Sequence, residues 1–344
     1  MGLYPLARRA LFSLDAEAAH ELTIAMFSRL PRLSTAAFSQ TIAADPVRLM
    51  GLQFPNRVGL AAGLDKNGDC IEAFGRLGFG FIEVGTVTPR PQPGNPKPRM
   101  FRLPEHQALI NRLGFNNKGV DYLLRRVAQQ HYSGVLGINI GKNADTPMDR
   151  AVDDYLACLH KVHARADYIT VNISSPNTRN LRELQAAEQL GGLLSQLRSA
   201  RETLAQAQGK RTPMLVKIAP DMPDEQLAVV CQLLQEHEVD GLIATNTTIA
   251  RTAVAGAAGA DETGGLSGAP LRERANQVLQ QARAAVGPEF PIIGVGGIGS
   301  GADARQRRVA GADLIQIYTG FIYKGPALIA DCAARMLPCN TRIR

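Results

Sequence analysis

The amino-acid sequence predicts an α/β protein that folds as a (β/α)8 barrel, a TIM barrel, with a small helical extension at its N-terminus. Apolar, β-branched runs recur eight times, and most intervals between them hold helix-like segments such as "DEQLAVVCQLLQEH". Buried parallel strands read as continuous apolar runs, and alternation with helices is typical of βα units. A doubly wound open sheet is the alternative. The eight runs span residues 57–63, 79–87, 134–141, 167–173, 213–219, 240–247, 291–297 and 313–320.

Residues 1–40 precede the alternating strand-like and helix-like segments and are predicted to form the helical extension. The barrel domain is predicted to span residues 41–344. Two amphipathic helices are predicted, and Asp15 between them is a suitable N-cap. Their apolar faces suit packing on the barrel, on a partner subunit or against a membrane, and the pattern alone leaves these open. The first face holds Leu3, Leu6, Ala7, Ala10, Leu11 and Leu14, and the second holds Leu22, Ala25, Met26, Leu30 and Leu33.

Composition excludes several classes of function. The chain of 344 residues is 45% hydrophobic and 20% charged, as expected for a globular protein. No run reaches the ~18 apolar residues that a membrane-spanning helix needs. The net charge of +7 is spread along the chain, without the basic block of a nucleic-acid-binding protein. Five scattered cysteines without a C-x-x-C pair predict a reducing compartment and no metal site.

Polar residues gather where the predicted strands end, which in a barrel is the face that carries the chemistry. These ends hold amides, hydroxyls and two lysines, with hardly a carboxylate among them. Amides read the donor and acceptor edges of flat heterocycles, and lysines answer a carboxylate or a developing anion. The strand ends are Gly63-Leu64-Asp65-Lys66, Gly85-Thr86, Asn139, Asn172 with Ser175 and Asn177, Lys217, Thr245-Asn246-Thr247, Gly296-Gly297 and Tyr318-Thr319-Gly320.

The stretch "GVGGIG" (294–299) matches a dinucleotide-binding fingerprint, but it follows the seventh run and no βαβ half with an acid ~20 residues onward follows it. In a barrel, glycines after strands seven and eight form a phosphate cradle, here Gly296, Gly297 and Gly320. Flavin mononucleotide (FMN) and a sugar phosphate both fit such a cradle. Lys217 favours the flavin, whose reduced ring it would stabilise, unless it only pairs with Asp221.

The stretch "NISSPN" (172–177) ends the fourth run with two hydroxyls. It lacks the glycines of a G-x-S-x-G hydrolase elbow, and no histidine lies nearby. A turn hydrogen bond before Pro176 is expected at Ser174, which leaves Ser175 to face a substrate between the amides of Asn172 and Asn177.

These motifs together resemble the dihydroorotate dehydrogenase family, the flavin enzymes of pyrimidine synthesis. The resemblance runs from residue 1 to about residue 330, with the motifs in family order. The motifs that carry it are "AAGLDKNG", "EVGTVTPRPQPGNPKPR", "INRLGFNNKG", "GINIGKN", "NISSPNT", "VKIAPD", "ATNTT", "TGGLSG", "IIGVGGI" and "QIYTGFIYKGP".

The resemblance implies one FMN per chain and a site for dihydroorotate or orotate. The flavin would be held by Ala62, Gly63, Leu64, Asp65, Lys66, Thr86, Asn139, Asn172, Lys217 and Thr245, with Gly268, Gly297, Tyr318 and Thr319 at its chain and phosphate. Dihydroorotate would be held by Lys66, Asn111, Arg112, Leu113, Gly114, Phe115, Asn172, Asn177, Asn246 and Thr247.

Ser175 aligns with the catalytic base of the family, which takes the C5 proton while hydride leaves C6 for the flavin. The soluble classes resemble one another in having cysteine at this position, and the membrane-associated class 2 enzymes have serine. The resemblance therefore implies class 2. Thr178 and the edge of Phe115 would line the exit route of the proton.

Class 2 enzymes also share a helical extension that lies on the membrane and admits a quinone, and "LDAEAAHEL" matches it. His20, Arg102 and Tyr318 would line the quinone site. The resemblance implies a peripheral protein on the cytoplasmic face of the inner membrane, with quinone as co-substrate and no nucleic acid or obligate protein partner. Two alternatives are a soluble relative that reduces fumarate or an iron–sulfur partner, and a non-redox phosphate-binding barrel.

Overall fold

The computed structural model describes residues 3–337, so residues 1–2 of the predicted extension and residues 338–344 of the predicted barrel domain lie outside the described residues. Eight parallel strands close into a barrel in which each strand pairs with its neighbours in sequence. The prediction of a (β/α)8 barrel is confirmed, and the open-sheet alternative is wrong. The barrel strands, first to eighth, are Val58–Leu60, Phe81–Val87, Val135–Ile140, Tyr168–Asn172, Met214–Ile218, Gly241–Ala244, Ile292–Val295 and Leu314–Ile317.

Amphipathic helices surround the barrel and bury one face each against it. In Arg272–Val286, for example, the buried residues Ala275, Val278, Leu279 and Ala282 recur at helical spacing. The outer helices are Ile71–Arg76, Val120–Gln129, Ala151–Val162, Ala187–Gln208, Asp224–Glu236, Arg272–Val286, Gly301–Val309, Thr319–Lys324 and Ala327–Met336, and short 3-10 helices span Pro104–His106, Met148–Arg150, Leu181–Gln185, Thr252–Val254 and Ala269–Leu271.

A short hairpin closes the N-terminal end of the barrel. Its strands, Val47–Leu49 and Leu52–Phe54, pair antiparallel. Phe54 is fully buried, and its ring meets that of Phe81 edge-on, with centroids 5.3 Å apart. Because this end is filled with apolar side chains, a ligand can enter the barrel only from the opposite end.

A three-stranded antiparallel sheet, which the sequence analysis did not predict, stands at that opposite end. It consists of Met100–Leu103, Ala108–Asn111 and Gly265–Gly268. Asn111 is aligned with both Met100 and Gly265, so the sheet joins two loops that are far apart in sequence. The sheet brings Asn111, the last residue of strand Ala108–Asn111, beside the mouth of the barrel.

The extension contains three helices rather than the predicted two: α1 (Tyr4–Phe12), α2 (Ala16–Arg29) and α3 (Pro31–Ala36). The second predicted helix is interrupted at Leu30, whose backbone is non-helical. Pro31 starts α3 because the fixed φ of proline suits the first position of a helix. The predicted N-cap is confirmed, since Asp15 accepts hydrogen bonds from the backbone of Glu17 and Ala18.

Buried polar contacts fasten the extension to the barrel. Glu17 of α2 forms an ion pair of 2.8 Å with Arg99, and both side chains are buried. From α1, the Tyr4 hydroxyl donates to the carbonyl of Ile322 at 2.5 Å. Leucines on the outer side of these helices remain exposed: Leu3, Leu6, Leu14, Leu22, Leu30 and Leu33.

Candidate active site

A cavity with an empty volume of about 970 Å³ opens at the carboxyl ends of the barrel strands. Most of the predicted site residues line it, although they come from all parts of the chain. The predicted residues on its wall are Ala62, Gly63, Lys66, Thr86, Asn111, Leu113, Gly114, Phe115, Asn172, Ser175, Asn177, Lys217, Thr245, Asn246, Thr247, Gly268, Gly297, Tyr318 and Thr319.

Four of the residues predicted to hold the flavin or the substrate do not line this cavity. Leu64 packs in the hydrophobic core, and Asn139 is fully buried in the barrel interior. Arg112 turns away to Glu262, at 2.6 Å, and lies over the ring of Phe101. Only its backbone belongs to the loop that borders the cavity.

Asp65 is the fourth of these residues, and its carboxylate shapes the loop that carries Lys66. It accepts backbone hydrogen bonds from Asp69 at 2.9 Å and from Cys70 at 2.7 Å. Burial raises the pKa of Asp65 to about 6, although these hydrogen bonds act in the opposite direction. A role of Asp65 beside the flavin would therefore be exerted through its backbone.

The two serines of the fourth strand end have different surroundings. Ser175 lines the cavity, and its Oγ accepts a hydrogen bond from the backbone N–H of Asn177 at 3.2 Å. Ser174 is fully buried, and its Oγ lies 3.0 Å from both Asn172 Oδ1 and Asn246 Nδ2. The turn hydrogen bond expected at Ser174 is thus made by Ser175, which faces the cavity as well.

Lys217 lies at the end of the fifth strand with its side chain buried against the cavity. The alternative pairing with Asp221 is wrong, because Asp221 binds Arg182 at 2.8 Å and accepts from the backbone of Ile249. Burial lowers the pKa of Lys217, and the charge of Glu83 partly offsets this. Within residues 3–337 the Lys217 ammonium forms no ion pair. It is therefore placed to answer an anionic group in the cavity.

Lys66 lines two cavities, the main one and a second that lies beneath α2. Burial lowers the pKa of Lys66 to about 8, while the charge of Glu17 in the extension opposes that shift. A substantial fraction of Lys66 thus remains protonated at neutral pH. The helical extension contributes to the electrostatics of the site through Glu17.

Side chains from elsewhere hold the loop that covers one side of the cavity. Asn177 Nδ2 donates to Asn111 Oδ1 at 3.2 Å, and Asn95 Nδ2 donates to the carbonyl of Arg112 at 2.8 Å. Phe115 has a φ of 54°, a left-handed conformation that is uncommon for a bulky residue. Gln92 Nε2 secures this turn by donating to the Phe115 carbonyl at 3.2 Å.

The glycines proposed for a phosphate are also required by packing of the backbone. A Cβ on Gly297 would lie 2.4 Å from Arg272 Cα, and one on Gly268 would lie 2.2 Å from the carbonyl oxygen of Gln107. Gly297 and Gly268 both border a smaller cavity that adjoins the main one and is also lined by Lys324. Packing alone therefore accounts for both glycines, and only their position on the smaller cavity relates them to a phosphate.

The three residues predicted for a quinone site have separate surroundings. Tyr318 lines the main cavity, and His20 lines the cavity beneath α2. Arg102 donates to the carbonyl of Leu14 at 2.6 Å and lies over the ring of Phe12. Burial and the charge of Lys66 lower the pKa of His20 to about 3, so this imidazole is neutral at physiological pH.

Neither a metal centre nor a membrane-spanning helix is found in the part of the chain that the structure describes. No three His, Cys, Asp or Glu side chains in residues 3–337 are grouped as metal ligands. Within the same range, every helix is too short or too polar to cross a bilayer.

Comparison with known proteins identifies the family. The family model described as "Dihydroorotate dehydrogenase" matches residues 46–337. A protein of Leptothrix cholodnii named "Dihydroorotate dehydrogenase (quinone)" is 58% identical over 335 residues, covering 96% of this chain and 97% of its own length. A protein of Burkholderia pseudomallei with the same name is 57% identical over 331 residues, with coverage of 96% and 97%. The chain belongs to the dihydroorotate dehydrogenase family.

Solved structures from this family have the same fold. A ligand-free DHODH from Eimeria tenella is 38% identical with a TM-score of 0.86, and 94% of each chain is covered. A DHODH of the same organism in complex with ferulenol is 37% identical with a TM-score of 0.85, with coverage of 94% of this chain and 91% of that one. The fold is therefore shared over most of this chain with family members that are 37–38% identical to it.

Sequence reasoning missed two buried carboxylates that act on the site of this dihydroorotate dehydrogenase family member. Glu83 lies in the second strand, fully buried, and accepts from Asn139, Tyr168 and Gln316. Glu17 lies in α2 and pairs with Arg99. A single acid inside the apolar run "FGFIEVGTV" was a readable signal for Glu83, whereas nothing in the sequence pattern distinguishes Glu17 from a surface residue.

Proposed function

We propose that the chain oxidises (S)-dihydroorotate to orotate, with FMN in the mouth cavity and a membrane quinone as electron acceptor. The family to which it belongs catalyses dihydroorotate oxidation in pyrimidine biosynthesis. One observation carries the finer assignment. A single closed-ended cavity brings together the Ser175 hydroxyl, two buried lysines and the amides of Asn111, Asn172, Asn177 and Asn246.

Properties of the cavity support FMN as its occupant. Thr247 Oγ1 and Gln316 Oε1 are buried on its wall without a hydrogen-bond partner among the described residues. Such atoms are rare in folded proteins unless a ligand or water satisfies them. When bound, FMN supplies the acceptor for the hydride that leaves dihydroorotate.

In this proposal, each of the two buried lysines faces a different anionic group. Lys217, which has no ion pair in the described chain, would face the flavin ring, and Lys66 would hold the carboxylate of the substrate. Gly268, Gly297 and Thr319 would surround the phosphate at the junction with the smaller cavity. The asparagine amides would orient the flat ring of the substrate through paired donors and acceptors.

Ser175 is proposed as the general base that takes the C5 proton of the substrate. The hydrogen bond from the Asn177 N–H to Ser175 Oγ favours the deprotonated hydroxyl, because a donor stabilises developing negative charge. Burial of Ser175 keeps water from competing for that charge. The hydroxyl of Thr178 is also buried and has no partner among the described residues, which suits a group that passes the proton onward.

The exposed leucines of the extension support contact with a lipid surface. Leu6 and Leu33 are 69% and 72% exposed, and they project from helices that are fastened to the barrel by their other faces. Apolar side chains on one face of surface helices enter the membrane interface without spanning it. We propose that this face binds the cytoplasmic side of the inner membrane, so that quinone reaches the site through the extension.

The test is a comparison of electron acceptors with purified protein. We expect visible flavin absorption, bleaching of that absorption by dihydroorotate, and reoxidation by a ubiquinone analogue far faster than by fumarate or NAD. Fumarate as the best acceptor would indicate a soluble type of dehydrogenase. A colourless protein that binds a sugar phosphate would indicate the non-redox barrel and contradict the proposal.

A further inference from the structure

A carboxylate lies inside the barrel beneath the mouth cavity. Glu83 belongs to the second strand, is 0% exposed, and receives three hydrogen bonds. Their donors are Asn139 Nδ2 at 2.7 Å, Tyr168 OH at 2.9 Å and Gln316 Nε2 at 2.7 Å. Amide nitrogens can only donate, so at least two positions around Glu83 require an acceptor that an ionised carboxylate supplies fully.

The direction of the Asn139 hydrogen bond fixes the next links. Because its Nδ2 points to Glu83, its Oδ1 points toward the cavity and accepts from Thr86 Oγ1 at 2.6 Å. Thr86 has then used its only proton, so its oxygen must accept, and Asn172 Nδ2 donates to it at 2.9 Å. The same Asn172 nitrogen lies 3.2 Å from Asn139 Oδ1.

The chain continues across the substrate side of the cavity. Asn172 Oδ1 accepts from Ser174 Oγ at 3.0 Å, and Ser174 Oγ accepts in turn from Asn246 Nδ2 at 3.0 Å. Asn246 Oδ1 accepts from the backbone N–H of Thr247 at 2.8 Å. Every donor in this series points back toward Glu83, so reversing one amide breaks the links on both sides of it.

We propose that Glu83 is a positioning residue that, together with the backbone N–H groups of Ser174 and Thr247 at the other end, sets the orientation of the Asn172 and Asn246 amides through this directed chain of hydrogen bonds. The inference rests on the proposed function, because it takes these two amides to bind dihydroorotate and orotate. Glu83 does not line the cavity, so it acts through other residues. The charge of Glu83 also partly offsets the lowering of the Lys217 pKa by burial.

The decisive variant is Glu83→Gln, which keeps the size of the side chain and removes its charge. If its amide nitrogen faces Asn139, the Asn139 amide has to rotate. If that nitrogen faces Gln316, Gln316 rotates instead, and Asn139 keeps only a neutral acceptor, which holds it more weakly than a carboxylate does. We expect the dissociation constant of orotate, measured by calorimetry on FMN-loaded protein, to rise at least tenfold. We expect FMN itself to remain bound, as measured by the flavin absorbance of the purified variant.

Tyr168→Phe is the matched control. It removes one donor from the same carboxylate but no link of the chain that leads to Asn172 and Asn246. We expect orotate binding within twofold of the parent. A general loosening of the barrel would weaken orotate binding equally in both variants, and that result would overturn the proposal. So would orotate binding within twofold of the parent in Glu83→Gln.

Ser174→Ala tests the far end of the chain and decides the question if Glu83→Gln does not fold. Ser174 is buried, does not line the cavity, and joins Asn172 to Asn246. We expect at least fivefold weaker orotate binding with FMN retained, and unchanged binding would overturn the proposal. A parent protein that binds neither FMN nor orotate would instead refute the proposed function.

Discussion

The barrel mouth and the outer face of the helical extension differ in what the fold leaves unsatisfied. At the mouth, Asn172, Thr86 and Asn139 satisfy one another in a fixed direction, and only a few polar atoms such as Thr247 Oγ1 have no partner among the described residues. On the extension, the groups without a partner are apolar side chains, since Leu6 and Leu33 are largely exposed. The first surface therefore suits a flat polar ligand, and the second suits a lipid phase.

The largest effect is expected at the mouth, from Ser175→Ala. Removing a general base typically costs about 10²–10⁴-fold in rate. We expect flavin reduction by dihydroorotate to slow by that factor in stopped-flow measurements, while FMN content stays unchanged. Ser174→Ala, measured at saturating dihydroorotate, is the control, because it weakens substrate binding but leaves Ser175 Oγ in the cavity. Near-normal flavin reduction in Ser175→Ala would show that another group takes the proton.

The next largest effect is expected where the two regions meet, at the buried pair of Glu17 and Arg99. Glu17→Gln leaves Arg99 buried without its counter-charge, and breaking a buried pair in this way typically costs about 3–5 kcal/mol of stability. We expect a matching loss in the free energy of unfolding in urea. Glu21→Gln, which removes an exposed acid of the same helix, should change it little.

The same pair predicts a dependence of stability on pH. Burial raises the pKa of Glu17, but the hydrogen bonds and charges of Arg99 and Lys97 together outweigh it, so the net pKa lies below its ordinary value. The stabilisation is thus present above the ordinary glutamate pKa of about 4.3 and is lost as the pH falls through the lower value of the folded state. Equal acid sensitivity in Glu17→Gln and the parent would contradict this account.

A smaller effect is expected on the extension, from the double variant Leu6→Ser with Leu33→Ser. Burying a leucine contributes roughly 1.5–3 kcal/mol, and partial burial in a lipid interface contributes less. We expect binding to liposomes to weaken at least tenfold, with dihydroorotate still reducing the flavin at the parental rate. Val309→Ser is the control, because Val309 is 80% exposed on a helix of the barrel. If that control weakens binding as much, the extension is not the membrane surface.

The smallest effect is expected from pH at Lys66. Its pKa of about 8 means that the ammonium that would hold the substrate carboxylate is lost as the pH rises above that value. We expect the dissociation constant of orotate to rise about tenfold between pH 7 and pH 9. Lys66→Arg, whose guanidinium stays charged, should abolish the dependence even if it binds more weakly. If the affinity of the parent for orotate does not depend on pH, Lys66 does not bind the carboxylate of orotate.

The sequence predicted the barrel well because its strands are buried on both faces and their apolar runs are continuous, as in Met214–Ile218. It did not predict the sheet that contains Gly265–Gly268, because glycine-rich segments carry no strand pattern and their pairing depends on contacts across the chain. Many residues that line the cavity could be predicted from the strand ends. The direction of their hydrogen bonds could not, because it depends on which side chains meet Glu83 in three dimensions.

The contacts of Arg99 limit which helical extensions can replace the native one in a chimera with a related protein. Its guanidinium binds Glu17 of α2 and also donates to the carbonyls of Pro93 and Asn95, while Asn95 holds the loop at Arg112. A chimera with an extension from another protein therefore inherits a stable site only if an acid is retained at position 17. The extension and the loop at Arg112 therefore have to be exchanged together, although they are far apart in the chain.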